Sequence, residues 1–327
     1  MSERSDLLAS IANTIKDYRV GEIHEPTSEH VDTWVNQFAE DVRVPLLREV
    51  DHVLKTTYFT KNTVIEFLSN LLKNQKLAGD NACSFWKSVK FLSIQGGGNS
   101  QREMLAMFDA ILQKECGLKI SDCGNAPEAF LYLDDALFTG NRIKNDLILW
   151  IKNEAPKEAK IHVVTIALHR GGQYYAKNAI EQTGKDAGKK LELVWWRAVE
   201  LEDTKFHINS SDVLRPTSLP EDERVKAYVA GLRFKPVLRT PPSRGEHEIF
   251  SSEEGRNFLE QTFLKAGVDI RQQSPYLNPY QRPLGNMVLE TLGFGSMIVT
   301  FRNCPNNAPL AFWAGDPWYP LFPRKIN

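Results

Sequence analysis

The chain has 327 residues, of which 42% are hydrophobic and 25% are charged, as in an ordinary soluble globular protein. Its 40 basic and 41 acidic residues give a net charge of −1, so direct nucleic-acid binding is not expected from the overall charge. No apolar run approaches the ~18–20 residues that span a bilayer, and the N-terminus is too polar for a secretory signal. We therefore expect a cytoplasmic protein that does not bind membranes.

The first 88 residues are predicted to form a helical region. Residues 1–18 are typical of a loosely attached helix. Apolar residues then recur at helical spacing over residues 30–54, where Pro45 predicts a kink, and again over Thr60–Lys76.

Strands and helices alternate between residues 89 and 203, the predicted core. Strands separated by helices imply crossover connections and a mainly parallel sheet, and thus an α/β fold. The loops after the first three strands, 95–100, 134–141 and 169–173, should then open on one edge of the sheet. The predicted strands are Val89–Ile94, Phe130–Leu133, Ile161–Leu168 and Leu191–Trp196, and the predicted helices are Gln101–Glu115, Asn141–Lys152 and one that begins at Tyr174.

Residues 204–327 are predicted to be a proline-rich extension packed on the core. Ser252–Ala266 has the pattern of a helix capped by Ser251 or Ser252. Met297–Phe301 and Leu310–Phe312 are typical of short strands.

Four cysteines and seven histidines are present, without Cys-x-x-Cys pairing or metal-ligand spacing. We therefore expect reduced thiols and neither a disulfide framework nor a zinc site. The cysteines are Cys83, Cys116, Cys123 and Cys304.

The most informative segment is Phe130–Ile143, which reads FLYLDDALFTGNRI. A buried strand is followed by Asp134 and Asp135, and ligands of α/β sheets bind just past the carboxyl ends of the strands. Carboxylates at this place can accept hydrogen bonds from a pair of sugar hydroxyls and can lie near a divalent cation. An ordinary turn with helix-capping carboxylates is the alternative interpretation.

The turn Phe138–Arg142 leads into a helix that begins near Asn141. Free N–H groups at a helix start, together with the helix dipole, favour an anion. Thr139 adds a hydroxyl donor, Gly140 permits close backbone approach, and Arg142 adds charge. A site for sugar hydroxyls beside a phosphate site suits a ribose 5-phosphate.

The segment resembles the phosphoribosyl-pyrophosphate motif of type I phosphoribosyltransferases, which has a strand, two acidic residues, three mostly apolar residues, Thr-Gly and a small polar pair. Arg142 departs from that motif, where threonine or another small residue is usual. The resemblance implies Asp134 and Asp135 as catalytic residues, and Mg²⁺ held mainly through the substrate, with both aspartates as further candidate ligands. The matching residues are Asp134, Asp135, Thr139, Gly140 and Asn141.

Gly96, Gly97 and Gly98 follow the first predicted strand and precede a helix. They resemble the loop that holds pyrophosphate in the same family, and Arg102 at the helix start could reach that group. A plain strand-to-helix turn is the alternative. The segment is not a dinucleotide fingerprint, because Gln101 occupies its last glycine position.

Two further loops correspond in position to other parts of the family's site. His169 and Arg170 follow the third strand and are candidate contacts to the acceptor base, although the Arg-Gly-Gly sequence there could hold phosphate instead. The family usually has a mobile basic loop over the pyrophosphate, and the one candidate is Cys116–Glu128 with Lys119.

The C-terminal tail from Cys304, together with HVDTWVNQF near the start, resembles a divergent phosphoribosyltransferase-like family of bacterial conflict systems, including retron-type anti-phage modules. The tail's Trp313, Trp318 and Phe322 could cover a base or seal a core, and the area that aromatic residues bury favours the core.

The leading hypothesis is a phosphoribosyltransferase-like defence effector that binds phosphoribosyl pyrophosphate or a ribonucleotide. The second is a catalytically inactive nucleotide sensor or scaffold that holds other proteins of a defence complex. The third is a toxin-like enzyme that modifies nucleotides.

Overall fold

The computed structural model describes residues 2–325. Its elements in chain order are α1 Glu3–Thr14, α2 Ser28–Val35, α3 Glu40–Thr57, β1 Tyr58–Phe59, α4 Lys61–Leu72, α5 Gln75–Ala78, α6 Ala82–Ser88, β2 Val89–Phe91, α7 Ser100–Cys116, β3 Ala129–Leu137, α8 Asn141–Asn153, β4 Glu158–His169, α9 Arg170–Asp186, β5 Lys190–Leu201, α10 Glu223–Ala230, α11 Glu253–Gln273, β6 Gln281–Arg282, β7 Gly285–Asn286, β8 Val299–Thr300 and α12 Leu310–Trp313. Within residues 2–325, no helix combines the length and the apolar character that a membrane crossing requires.

Internal contacts divide the chain into two units. The first contains the chain up to Lys61 and resumes at Leu201, and the second is Asn62–Glu200. The predicted three-part division, with boundaries after residues 88 and 203, stays a prediction.

In the first unit, α1 is firmly packed, contrary to the expectation of a loosely attached helix. It buries Ile11 completely, and Arg4 forms a 2.6 Å ion pair with Asp32 on α2. The single helix predicted over residues 30–54 is instead two helices, α2 and α3, and Pro45 lies inside α3.

The C-terminal part of the first unit confirms one predicted helix and corrects one strand. The side chain of Ser252 accepts a hydrogen bond from the N–H of Gly255 and caps α11, which extends beyond the predicted end to Gln273. Leu310–Phe312 is not a strand, because it lies in the short helix α12, which Ala314 closes by donating to the carbonyl of Leu310.

The aromatic tail residues contribute to the core of the first unit. Phe322 is completely buried, and its ring centroid lies 5.1 Å from that of Tyr18 and 5.3 Å from that of Phe312. Trp318 makes an edge contact with Phe38 at 5.3 Å. The structure therefore matches the interpretation in which these rings seal a core.

The second unit contains a four-stranded sheet in the order β2-β3-β4-β5. Strands β2, β3 and β4 pair in parallel, with Val89 opposite Ala129 and Phe130 opposite Ile161. Lys160 of β4 pairs with Glu192 of β5, and Arg170, directly after β4, pairs with Glu200 of β5, so β5 runs in the same direction as β4. The α/β fold class with a mainly parallel sheet is confirmed.

Helix α8 packs on this sheet because its apolar residues recur at helical spacing on one face. Four of them join the same buried cluster as Phe130, Tyr132 and Val163 of the strands. This packing places the start of α8 directly beyond the end of β3. The four residues are Ile143, Leu147, Trp150 and Ile151.

One cysteine pair contradicts the expectation of reduced thiols. Cys83 on α6 and Cys116 at the end of α7 form a disulfide bond, with their Cα atoms 5.4 Å apart. Their separation of 33 residues in sequence gave no sign of this proximity. Cys123 and Cys304 are buried free thiols.

Candidate functional site

The carboxyl edge of the parallel sheet carries the starts of three helices. Helix α7 begins at Ser100 after β2, α8 begins at Asn141 after β3, and α9 begins at Arg170 after β4. The predicted common edge is therefore present. The predicted loop 169–173 is wrong, because α9 starts immediately after β4 with His169 as its N-cap residue.

The acidic pair lies inside β3, which continues to Leu137 instead of ending at Leu133. This extension occurs because β4 is long enough to pair with it, with Asp134 opposite Thr165 and Leu137 opposite Leu168. Adjacent residues of a strand point to opposite faces of the sheet. The two side chains therefore leave the strand on opposite faces of the sheet, and the assignment of both carboxylates to the ribose stays a prediction.

Asp134 is buried, with 1% of its surface exposed, in polar surroundings. Its Oδ1 accepts a hydrogen bond from the N–H of Asp135 at 2.9 Å, and its Oδ2 lies 3.4 Å from Nε2 of Gln95. Asp135 is partly exposed, and its Oδ1 accepts from the N–H of Ala136 at 2.8 Å. Of the two, Asp135 is the carboxylate that a ligand can reach.

Burial and the neighbouring charge of Asp135 raise the pKa of Asp134 to about 7. A hydrogen bond from Ser100 and the positive charge of Arg142 oppose this rise without cancelling it. Asp134 therefore holds its proton up to a higher pH than a carboxyl in water does.

The turn after β3 is fixed by two glycines. Gly140 has a φ of 75°, in the left-handed region, and a Cβ there would collide with the carbonyl of Gly172. A Cβ on Gly172, in the first turn of α9, would collide with the carbonyl of Phe138. Gly140 therefore lets the turn approach α9 closely, and this contact sets the position of the predicted phosphate turn.

The start of α8 offers several donors. Gly140 has no side chain with which to cap the first-turn N–H groups of the helix. Asn141 Nδ2 lies 3.4 Å from Oγ1 of the partly exposed Thr139, and Lys144 Nζ lies 3.3 Å from Asn141 Oδ1 and 2.8 Å from the hydroxyl of Tyr175. This arrangement suits an anion.

A buried carboxylate that the sequence analysis missed holds the glycine loop. Asp146 on α8 accepts from the N–H of Gly96 at 3.2 Å and from the hydroxyl of Tyr132 at 2.7 Å. The available signal was an acidic residue at an inward position of an apolar helix face, next to Leu147.

Two glutamines join the end of β2 to the start of α7. Gln101 Oε1 accepts from the N–H groups of Ile94 and Gln95 at 2.7 and 3.0 Å, and Gln95 Oε1 accepts from the N–H of Gln101 at 3.2 Å. Gln101, which breaks the dinucleotide pattern, therefore has a positioning role.

The predicted basic residues lie in different surroundings. Arg142 donates from Nη1 to the carbonyl of Gly97, which joins the phosphate turn to the glycine loop. Arg102 is exposed on the first turn of α7. Arg170 forms a 2.6 Å ion pair with Glu200.

His169 is completely buried, and its Nδ1 lies 2.9 Å from the carbonyl oxygen of Leu137. Its ring packs on that of Phe138, with the centroids 5.1 Å apart. The acceptor-binding roles of His169 and Arg170 stay predictions.

Within residues 2–325, no group of three or more His, Cys, Asp or Glu side chains could hold a metal ion. Carboxylate oxygens do suit Mg²⁺, which commonly uses one or two carboxylates together with substrate phosphates. Asp135 fits such a shared site because part of its carboxylate is accessible.

A cavity of about 240 Å³ lies in the first unit and contains none of the predicted site residues. It is lined by Gln37, Asp269, Ile270, Gln273, Pro317 and Trp318.

A parallel sheet with an acidic pair, a Thr-Gly turn and a glycine loop at the carboxyl edge of its strands defines a phosphoribosyltransferase-like protein. The family model PRTase-CE, in which PRTase abbreviates phosphoribosyltransferase, matches residues 31–324. The chain therefore belongs to the PRTase-CE family. Neither the search of curated proteins nor the search of solved structures found a match.

Proposed function

We propose that the protein binds phosphoribosyl pyrophosphate or a ribonucleotide at the carboxyl edge of the sheet and transfers its phosphoribosyl group. One observation supports this most strongly: Arg142 and Asp146 of α8 hydrogen-bond to Gly97 and Gly96, so the glycine loop lies beside the helix start that follows the partly exposed Asp135 and the Thr139–Asn141 turn. Membership in a phosphoribosyltransferase-like family supports the same class of ligand.

In this proposal each part of the edge binds one part of the ligand. The carboxylate of Asp135 accepts hydrogen bonds from the ribose hydroxyls. Thr139 and the first-turn N–H groups of α8 bind the 5-phosphate, and the backbone of Gly96–Gly98 binds the pyrophosphate. These contacts fix the anomeric carbon relative to the acceptor, which supplies the orientation part of catalysis.

The residues also suit the charge changes of glycosyl transfer. As the bond to pyrophosphate breaks, positive charge develops at the anomeric carbon, and the carboxylate of Asp135 stabilises it. Mg²⁺, held by Asp135 and substrate oxygens, would neutralise charge on the leaving group. Asp134 holds its neighbour in place through its contact with the N–H of Asp135.

The decisive assay follows pyrophosphate release from phosphoribosyl pyrophosphate with Mg²⁺ and a panel of bases. Asp135→Asn should lower turnover at least ~100-fold, because removing one electrostatic contact of a transition state typically costs this much. Asp186→Asn changes an exposed aspartate at the end of α9 and serves as the matched control. Turnover that survives Asp135→Asn unchanged would refute the assignment.

Thr139→Val tests the phosphate turn separately. We expect weaker binding of ribose 5-phosphate by calorimetry, with an unchanged melting temperature, because Thr139 is partly exposed and the substitution conserves volume. Equal affinity for the wild type and the variant would exclude Thr139 as a phosphate contact.

A nucleotide sensor of the same fold is the second candidate. The burial of Asp134 favours it, because only one carboxylate of the pair remains accessible to a ligand. Saturable binding without turnover of any base would establish the sensor, whereas turnover on a nucleotide or nucleic-acid acceptor would indicate the toxin-like enzyme.

A role in bacterial defence is proposed only on the resemblance of the tail and of HVDTWVNQF near the start to conflict-system proteins. The test is a phage challenge of cells that carry the gene for the wild-type chain or for the Asp135→Asn variant. Equal plaque counts for cells with the wild type and cells lacking the gene would reject the role.

A further inference from the structure

The segment expected to supply a mobile basic loop lies at the wrong end of the sheet. Residues 117–128 connect the end of α7 to the first residue of β3, where Ala129 pairs with Val89 at the start of β2. The N–H of Gly124 donates to the carbonyl of Lys87, and that of Glu128 donates to the carbonyl of Ser88.

This segment is also tied closely to its surroundings. A Cβ on Gly124 would lie 2.7 Å from the Cα of Lys90, and the N–H of Ile120 donates to Asp109 Oδ1 at 2.7 Å. The site is at the carboxyl edge and this segment is at the amino edge. Lys119 is therefore not placed to neutralise a bound pyrophosphate.

Another cation is placed beside the glycine loop. Arg142, at the second position of α8, extends to the loop and donates from Nη1 to the carbonyl of Gly97. A Cβ on Gly98, whose φ is 84°, would lie 3.0 Å from the same nitrogen. The positive charge is close enough to oppose the rise in the pKa of Asp134.

Arg142 retains the capacity to bind a ligand in this position. A guanidinium has five N–H donors, and the carbonyl of Gly97 accepts from one nitrogen. The side chain of Arg142 is exposed, so a phosphate can approach its remaining donors. Planar guanidinium groups bind phosphate through paired hydrogen bonds.

The other basic residues at this edge are less suitable. Arg170 is paired with Glu200, and Lys144 contacts Asn141 and the hydroxyl of Tyr175. Arg102 on α7 is exposed, and it is the competing candidate that an experiment must separate from Arg142.

Resting on the proposed function, we propose that Arg142 binds the pyrophosphate group of phosphoribosyl pyrophosphate, in place of Lys119 in the segment 117–128. Arg142 stands where the motif usually has a small residue. In this assignment the arginine has a function there, because it brings a cation from the phosphate turn onto the glycine loop. The residue acts on the leaving group and not on the 5-phosphate.

Calorimetry with phosphoribosyl pyrophosphate, inorganic pyrophosphate and ribose 5-phosphate tests this assignment, each ligand with Mg²⁺. Arg142→Gln should weaken binding of the first two ligands about 10-fold or more, the range of one charge-assisted hydrogen bond, and leave ribose 5-phosphate within about 2-fold. Arg142→Lys should restore part of the loss, and added salt should reduce the difference between wild type and Arg142→Gln, which a purely structural role would not produce.

Lys152→Ala, an exposed change at the other end of α8, is the neutral control, and thermal melts verify folding of every variant. An equal loss for ribose 5-phosphate would place Arg142 on the 5-phosphate and overturn the inference. An unchanged affinity of Arg142→Gln for phosphoribosyl pyrophosphate and pyrophosphate would also overturn the inference. A loss of these affinities in Arg102→Gln alone would do the same. A wild type that binds neither phosphoribosyl pyrophosphate, ribose 5-phosphate nor any ribonucleotide would instead overturn the proposed function, and this inference with it.

Discussion

The carboxylate of Asp146 accepts a 2.7 Å hydrogen bond from the hydroxyl of Tyr132, two residues before the acidic pair. Its other oxygen accepts from the N–H of Gly96, so one buried side chain on α8 links strand β3 to the glycine loop. Burial raises the pKa of Tyr132, which keeps its hydroxyl a neutral donor. The order of the glycine loop therefore depends on Asp146.

The first prediction concerns this link. Asp146→Ala should lower the free energy of unfolding by about 2–3 kcal/mol, because it leaves a buried donor unpaired, and Tyr132→Phe should cost about 1 kcal/mol. Urea denaturation measures both values. Only Asp146→Ala should also weaken binding of inorganic pyrophosphate. An equal loss of pyrophosphate affinity in Tyr132→Phe would show that Asp146 does not act specifically by holding the glycine loop.

The second prediction concerns the contact between the phosphate turn and α9. Gly172→Ala should displace the turn, since its Cβ would collide with the carbonyl of Phe138, and should greatly weaken binding of ribose 5-phosphate. Gly315→Ala is the control, because a Cβ there meets no atom within 4 Å. Calorimetry at matched protein concentration measures the affinities, and an intact affinity in Gly172→Ala would show that the turn is not held in this way.

The third prediction follows from the raised pKa of Asp134. Because its folded pKa of about 7 lies above the ordinary value of 3.8, the folded protein holds the proton more tightly than the unfolded chain. Ionisation of Asp134 should therefore reduce stability as the pH rises from about 4 to about 7, by at most about 4 kcal/mol.

Asp134→Asn removes this dependence, since an amide does not ionise in this range. The stability of the variant relative to wild type should rise between pH 4 and 7 and then stay constant, as measured by urea denaturation at a series of pH values. Asp186→Asn should follow the wild-type curve. Parallel curves for Asp134→Asn and the wild type would show that Asp134 is not held protonated.

The fourth prediction concerns the disulfide between Cys83 and Cys116. A crosslink across 33 residues should contribute about 2–4 kcal/mol, so reductant should lower the midpoint of denaturation. The double variant Cys83→Ser, Cys116→Ser should show no response to reductant, and Cys123→Ser should respond as the wild type does. A wild-type midpoint that is insensitive to reductant would mean that the thiols are reduced, as the sequence analysis expected.

The parallel core was predictable because its signals are local. Strand β4 contains the mostly apolar run Ile161–Leu168, and helices such as α8 repeat their apolar residues on one face, so both types were recognised. The residues at which strands and helices end were less predictable. Strand β3 passes through the acidic pair because β4 offers pairing partners there, and that information lies in another segment.

Other features could not be predicted from the local sequence pattern. The disulfide, the close approach of Gly140 to Gly172 and the link from Asp146 to Gly96 join residues that are distant in sequence. Leu310–Phe312 was assigned as a strand from its apolar character, but a four-residue helix buries the same side chains. Short apolar runs do not distinguish these two alternatives.

Hydrogen exchange in the presence of phosphoribosyl pyrophosphate and Mg²⁺ tests the central claim most directly, because it locates the ligand without assuming catalysis. We predict slower exchange of the amides in Gly96–Gln101 and Ala136–Ile143. The exchange rates of the amides in the segment 117–128 should be unchanged. Protection confined to other parts of the chain, or no protection at a saturating concentration of the ligand, would contradict a ribose-phosphate site at this edge of the sheet.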